Sequence, residues 1–185
     1  MTNSSHSNVL IIGGGCAGIS VASRLHSLKS DLNISIIEPS DKSLYQAAWT
    51  LVGAGAYDVG STIKQMSEVM PSYVKWIKEY AEEFMPETNS VKTNNGTYTY
   101  DFLVVCPGLK LNFDGVAGLK EHLGKNNVCT NYSAEMATYT WECLKNLDGG
   151  TLLFTEPPMP IKCAGAPQKI AYLAADHLKK KGKLN

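Results

Sequence analysis

The chain has 185 residues, 44% of them apolar, which fits one globular domain with a core of ordinary size and excludes a disordered chain. Lysine plus arginine balances aspartate plus glutamate at 17 each, and the basic run is confined to Lys179 to Lys181, so nucleic acid is not an expected partner. No secretory signal or membrane-length apolar run is visible, and five cysteines without Cys-x-x-Cys spacing, beside four scattered histidines, predict free thiols in a reducing, cytoplasmic compartment and no zinc site.

The segment NVLIIGGGCAGISVASRLHSLKSDLNISIIEPS opens with an apolar run, Val9 to Ile12, that predicts a buried strand. A glycine turn follows, and Ile19, Ala22, Leu25 and Leu28 then recur at helical spacing. NISIIE predicts a second buried strand that ends at Glu38, with Pro39 stopping it. Residues 43–60 hold several glycines and no clear period, and read as an ordered loop. STIKQMSEVMP predicts a short helix with Ser61 as its N-cap and Pro71 beyond its end. Residues 74–100 predict an antiparallel insertion of short strands, with Asn95-Gly96 as a hairpin turn. FLVVC returns to the buried-strand type.

SAEMATYTWECLKNL predicts a helix capped by Ser133, its inner stripe formed by Met136, Thr140, Cys143, Leu144 and Leu147. GGTLLFTEPP predicts another buried strand. A helix from about Pro167 follows, with Ile170, Leu173, Ala174, His177 and Leu178 on one face. Proline suits its first position, Lys179 to Lys181 suit its C-terminal dipole, and Gly182 ends it. This second unit shows a strand and a helix but no closing strand, and reads as truncated.

Gly13-Gly14-Gly15-Cys16-Ala17-Gly18 fits G-x-G-x-x-G, a weak signal alone. Here it follows a predicted strand and opens a predicted helix, and Glu38 stands about twenty residues further on at the end of the next strand. That context is a dinucleotide fingerprint. Gly13 permits the tight turn, Gly15 lets backbone approach a pyrophosphate, and Gly18 lets helix and strand pack closely. Free amides near Cys16 and Ala17 would face the anion at the helix N-terminus. Glu38 would accept from ribose hydroxyls and repel a 2′-phosphate. The fold class that follows is α/β: a Rossmann-like domain with a parallel sheet and an antiparallel insertion at about 74–100, spanning 1–115. Residues 116–148 form a connecting segment with a helix, and 149–185 the start of a second Rossmann-like unit.

The fingerprint does not choose between FAD and NAD. The strand end YDFLVVCPG resembles the second FAD signature of the two-dinucleotide-domain flavoproteins, with Gly108 at the glycine position and Cys106-Pro107-Gly108 in place of the usual Ala-Thr-Gly. The disulfide reductases of that superfamily carry paired cysteines soon after the second strand, where this chain has LYQAAWTLVGAGA. The type II NADH dehydrogenases need a second glycine triplet where this chain has PPMPIKCAGAP, whose prolines remove amide donors.

IIEPSDKSLYQAAWTLVGAGA, VVCPGLKLNFDGVAGL, VCTNYSAE with TWE, and PIKCAGAPQKIAYL resemble the sulfide:quinone oxidoreductases, in the branch shared by bacteria and mitochondria. The resemblance implies FAD as cofactor, sulfide and quinone as substrates, and a peripheral membrane enzyme whose membrane-binding part, second redox cysteine and quinone pocket lie beyond this segment. It allows a homo-oligomer. It also implies that Cys163 is the first cysteine of the redox pair, and that Gln46 and the Ala81 backbone contact FAD. Ala47 stands where a proline is common. In that chemistry hydrosulfide opens a sulfur-bridged cysteine pair, and a sulfur on Cys163 adds to the flavin C4a.

Cys163 has its own physical rationale: Pro157, Pro158 and Pro160 stiffen its approach, Lys162 adjoins it, and a helix begins about a turn later. The last two favour thiolate. Cys16, Cys106, Cys143 and Cys129 read as structural, although some branches of the family carry a third cysteine near the position of Cys129. Trp49 and Trp76 read as packing, and His177 as core. A non-catalytic FAD-binding module is the alternative from another class, and an NADH:quinone oxidoreductase the alternative enzyme.

Overall fold

The computed structural model describes residues 3–184. In chain order the elements are β1 (Asn3–Ile12), α1 (Cys16–Leu28), β2 (Ile34–Ile37), β3 (Lys42–Leu44), α2 (Trp49–Gly53), β4 (Ile63–Gln65), α3 (Met66–Val69), β5 (Val74–Ile77), β6 (Ala81–Met85), β7 (Ser90–Thr93), β8 (Gly96–Val105), α4 (Leu119–His122), α5 (Ala134–Lys145) and α6 (Ala166–Lys180). By contacts the chain forms two compact units. One takes the residues up to Leu44 with Lys64–Gly108, the other Tyr45–Ile63 with the residues from Leu109 onward.

The first unit is built on a six-stranded sheet in the order β5-β2-β1-β8-β7-β6. Pairing is parallel from β5 to β8 and antiparallel among β8, β7 and β6. Along β1 successive side chains alternate faces. Val9 and Ile11 join Ala22, Ile34, Ile36 and Val74 under α1, while Leu10 and Ile12 join Ile37, Ile77, Val91, Tyr98 and Tyr100. Both faces of β1 and β2 are covered, which is why both strands read as unbroken apolar runs. The buried Ser7 and Ser35 hydroxyls satisfy each other at 2.7 Å. Glu79, also buried, accepts hydrogen bonds from Thr93 and Tyr98, tying the β5–β6 turn to the antiparallel strands.

The mixed α/β sheet agrees with the sequence reading, and three local features differ from it. Val74 to Ile77 is a parallel neighbour of β2, so antiparallel pairing begins only at Ala81. The helix expected from Ser61 is displaced to Met66–Val69: Ile63 to Gln65 form a strand, and Gln65 with Glu68 makes the capping box. The strand expected in GGTLLFTEPP does not form; residues 151–158 have no regular structure and no ladder, and Leu153 is 85% exposed. An apolar β-type run becomes a strand only where a neighbour supplies backbone partners, and none of the described residues does so here.

The second unit is helical. Trp49 and Val52 of α2 pack on Ala137 of α5, and Leu144 of α5 packs on Ile170 and Ala174 of α6. The Trp49 indole N–H donates to Thr62 Oγ1 at 3.1 Å, the packing role read for it. The buried positions of α5 are Ala137, Thr140 and Leu144, so Met136 and Cys143 sit at the margin of the stripe. His177 lies edge-on to Trp141, with ring centroids 4.9 Å apart.

Candidate nucleotide site and cysteine

The parallel registers bring three chain segments off the sheet at one level. Ile12 stands opposite both Ile37 and Val105. Gly13, Glu38 and Cys106 therefore leave the carboxyl edge side by side, the usual place for a ligand in an open α/β sheet.

The three fingerprint glycines have three different surroundings. Gly13, at φ +101°, lies so close to the β8 end that a Cβ would stand 2.1 Å from the Cys106 carbonyl oxygen. A Cβ on Gly18 would stand 1.9 Å from the Gly13 carbonyl oxygen. A Cβ on Gly15 would meet no atom within 4 Å. Two of the glycines are thus required by the protein's own packing. The third leaves open space at the N-cap of α1, where Cys16 and Ala17 are exposed. The first-turn amides there have no carbonyl four residues back to bond within the helix. Backbone donors facing open space suit a diphosphate.

Glu38 accepts from the Gly14 amide at 2.8 Å and from the Ser40 amide at 2.7 Å. A carboxylate has about four lone-pair positions, so it keeps acceptor capacity at the mouth of the site. Behind it a cleft of about 260 Å³ is lined by Ile12, Gly13, Ile37, Glu38, Pro39, Tyr80, Ala81 and Pro107. That is below the roughly 300–1,000 Å³ of a whole-ligand pocket, and it fits one end of a dinucleotide. The donor set and the open cradle at Gly15 fit FAD. Ala81 lines the cleft as β6 begins. Gly108, at φ +79°, follows the strand end whose Cys106 amide bonds Ile12 at 2.8 Å. Burial pushes the Cys106 thiol above its usual range.

The structure thus gathers Gly13, Glu38 and Ala81 at one cleft, with Gly15, Cys16, Ala17 and Gly18 at the helix entrance and Gly108 at the strand exit. Sequence reasoning missed Tyr80, Pro39 and Pro107. The last two sit next to residues it did single out. Tyr80 follows a buried glutamate in a turn, and nothing in its spacing announces it.

Gln46 and Cys163 belong to the second unit. Gln46 is half-buried in a short 3₁₀ turn before α2. Cys163 is exposed and has a left-handed backbone, φ +60°, which costs a non-glycine residue roughly 1–2 kcal/mol. Its carbonyl accepts from the Ala166 amide at 3.0 Å and from the Tyr132 hydroxyl at 3.3 Å, and these bonds hold the conformation. Tyr132, too, escaped the sequence reading, because a contact across 31 positions leaves no local signal. Burial raises the Tyr132 hydroxyl pKa, with smaller contributions from Cys163 and Glu156. Burial also lowers the Lys162 pKa, so this neighbour is a weaker cationic support for a thiolate than its position in sequence promised. α6 starts at Ala166, close to the expected position. Among the described residues no helix is long and apolar enough to cross a membrane, and no cluster of potential metal ligands occurs.

Residues 7–138 match the model of the pyridine nucleotide-disulphide oxidoreductase family. The chain is 45% identical over 177 residues to the mitochondrial sulfide:quinone oxidoreductase of Dictyostelium discoideum, covering 94% of this chain and 39% of that protein. It is 38% identical over 183 residues to the mitochondrial sulfide:quinone oxidoreductase of Mus musculus, covering 98% of this chain and 41% of that protein. The X-ray structure of the sulfide:quinone oxidoreductase of Aquifex aeolicus superposes with a TM-score of 0.72 at 28% identity, over 97% of this chain and 41% of that one. The chain therefore spans about two fifths of the relatives it matches.

Proposed function

Because the chain belongs to the pyridine nucleotide-disulphide oxidoreductase family, we propose that its first unit binds FAD and that the protein it represents oxidises sulfide and reduces a quinone. The observation that carries the FAD reading is the open space at Gly15, where the fold leaves a cradle that it does not fill itself. The sulfide reading is supported by similarity to sulfide:quinone oxidoreductases along nearly the whole chain, through Cys163 and into α6. Contact with a membrane surface is proposed for the protein beyond this segment. Both eukaryotic relatives are mitochondrial by name, which favours a quinone-bearing mitochondrial membrane over the cytoplasm.

When bound, FAD supplies a two-electron acceptor. The residues of the chain do the rest. Amides at Gly15, Cys16 and Ala17 donate to the diphosphate, and Glu38 accepts from ribose hydroxyls with its remaining lone pairs. Gly13 and Gly18 keep the turn close enough to the sheet for those amides to point outward. The Ala81 and Gly108 backbones line the approach, and Gln46 is proposed as a further cofactor contact. Cys163 carries the sulfur chemistry. Its exposure lets hydrosulfide reach it, and the bonds from Tyr132 and Ala166 fix the direction of its Cα–Cβ bond, so that reaction requires little reorientation.

Two measurements test the proposal. The chain reconstituted with FAD should retain flavin absorbance through gel filtration; protein that emerges without flavin, yet quenches when NADH is added, overturns the cofactor reading. In the full-length protein, Cys163→Ser should keep FAD and lose sulfide-dependent flavin reduction, while Cys143→Ser should lose neither. Reduction at an unchanged rate in Cys163→Ser removes the thiol from the reaction.

A further inference from the structure

A second group of thiols lies in the helical unit, in neither of the sites above. Cys129, in the segment leading into α5, and Cys143, in the last turn of α5, flank the same residue, Asn127. Both are anchored to one residue: Cys129 Sγ lies 3.6 Å from the Asn127 carbonyl oxygen, and Cys143 Sγ lies 3.7 Å from Asn127 Oδ1. The Asn127 amide in turn donates to the Tyr139 hydroxyl at 3.2 Å. Each cysteine is half-buried and not sealed in the core. Packing alone does not call for this arrangement. Two small side chains could fill the space without polar partners, and here both are oriented by the same asparagine.

We propose that Cys129 and Cys143 form a redox-active dithiol site that exchanges with a low-molecular-weight disulfide and closes to an intramolecular disulfide bond. The Cys143 thiol loses its proton to solvent, and its sulfur attacks one sulfur of the small disulfide. A mixed disulfide forms on Cys143, and one small thiolate leaves and takes up a proton. Cys129 then loses its proton and attacks the Cys143 sulfur, the second small thiolate departs, and it too is protonated. Two protein thiols are oxidised by two electrons, and one small disulfide is reduced to two thiols.

The order of attack follows from the cluster. Burial, then the neighbouring Cys143, pushes the Cys129 thiol up to about 12. Cys129 therefore holds its proton, with its S–H on the Asn127 carbonyl, and acts second. Closure would pin the segment before α5 to the far end of the helix. That segment includes Tyr132, whose hydroxyl bonds the Cys163 carbonyl, so the thiol pair lies where its redox state bears on the Cys163 loop. This inference stands on the cluster alone and does not need the flavin reading.

The test uses the 185-residue chain, as wild type and as Cys163→Ser, equilibrated with reduced and oxidised glutathione in varied ratio. Remaining thiols are trapped by rapid alkylation and the peptides mapped by mass spectrometry. A Cys129–Cys143 cross-link should appear in both proteins as the ratio becomes oxidising, and brief alkylation of the reduced protein should label Cys143 before Cys129. Cys16 is exposed and serves as the internal control, because its glutathione adduct shows that oxidant was sufficient. If Cys16 carries the adduct while Cys129 and Cys143 remain thiols, or take up separate adducts, the proposal is wrong. A cross-link from either of them to Cys163 in place of the mutual bridge also overturns it.

Discussion

The sheet-built unit and the helical unit hold their candidate groups by different means. At the nucleotide site, three strands in continuous register deliver Gly13, Glu38 and Cys106 to one edge, and two glycines are pressed against backbone atoms. Around Cys163 there is no ladder. A left-handed residue is kept in place by two hydrogen bonds to its carbonyl, one of them from a side chain 31 positions away. Geometry of the first kind is lost when something is inserted. Geometry of the second kind is lost when a single donor is removed.

The largest effect should come from the glycine turn. Gly18→Leu drives a side chain into the Gly13 carbonyl and should cost about 3 kcal/mol or more by chemical denaturation, or prevent folding. Gly15→Asp sits three residues earlier in the same motif and should behave in the opposite way. Asp is a favoured N-cap, and it meets open space, so stability should stay within about 0.5 kcal/mol of the parent or rise. Flavin retention should nevertheless disappear, because the new carboxylate faces the diphosphate. Equal losses of stability in the two variants would break the distinction between packing glycine and ligand-facing glycine.

A smaller effect sharpens the other side of the comparison. Tyr132→Phe removes one donor and keeps the ring, so stability should fall by about 1 kcal/mol. In the full-length protein, sulfide-dependent flavin reduction should slow while flavin content is unchanged. A variant that loses stability but reduces flavin at the parental rate would show that the hydroxyl steadies the loop without directing the sulfur. The smallest effect concerns the C-terminal end of α6, where Lys183 donates to Asp148 at 3.0 Å and to the Leu147 carbonyl at 2.8 Å. The Lys183 hydrogen bond and charge lower the Asp148 pKa below its usual 3.8. A carboxyl lowered on folding contributes fully above its unfolded value and loses that contribution as pH falls through the folded one. Amide protection near Lys183, measured as exchange relative to the unprotected rate at each pH, should therefore be flat above pH 3.8 and fall only below it. A loss of protection between pH 6 and 5 would point to a different group.

What could be read from sequence follows the same division. Val9 to Ile12, the glycine triplet and Glu38 were legible because a short apolar run, a fixed spacing and a strand end are local statements, and the registers then place them without further information. Ser61 misled because an N-cap is decided by competition. Gln65 with Glu68 offers two reciprocal backbone bonds, and Ile63 to Gln65 are drawn into pairing with β3. The run from Thr151 misled because its pattern is that of a strand, while a strand also requires a partner. The Tyr132 contact and the meeting of Cys129 and Cys143 at Asn127 were beyond reach, since each depends on how the segment 127–133 folds back, and no periodicity encodes that.

The two amides held by Glu38 have a kinetic consequence. The Gly14 and Ser40 amides are held on the carboxylate by the fold's own hydrogen bonds, so the turn and the strand end proposed to meet a nucleotide are ordered by the protein itself. Their loss of conformational freedom is incurred during folding and not on binding. Association at this end of the ligand should then be a single bimolecular step whose observed rate rises linearly with nucleotide concentration, without the plateau that a slow rearrangement imposes.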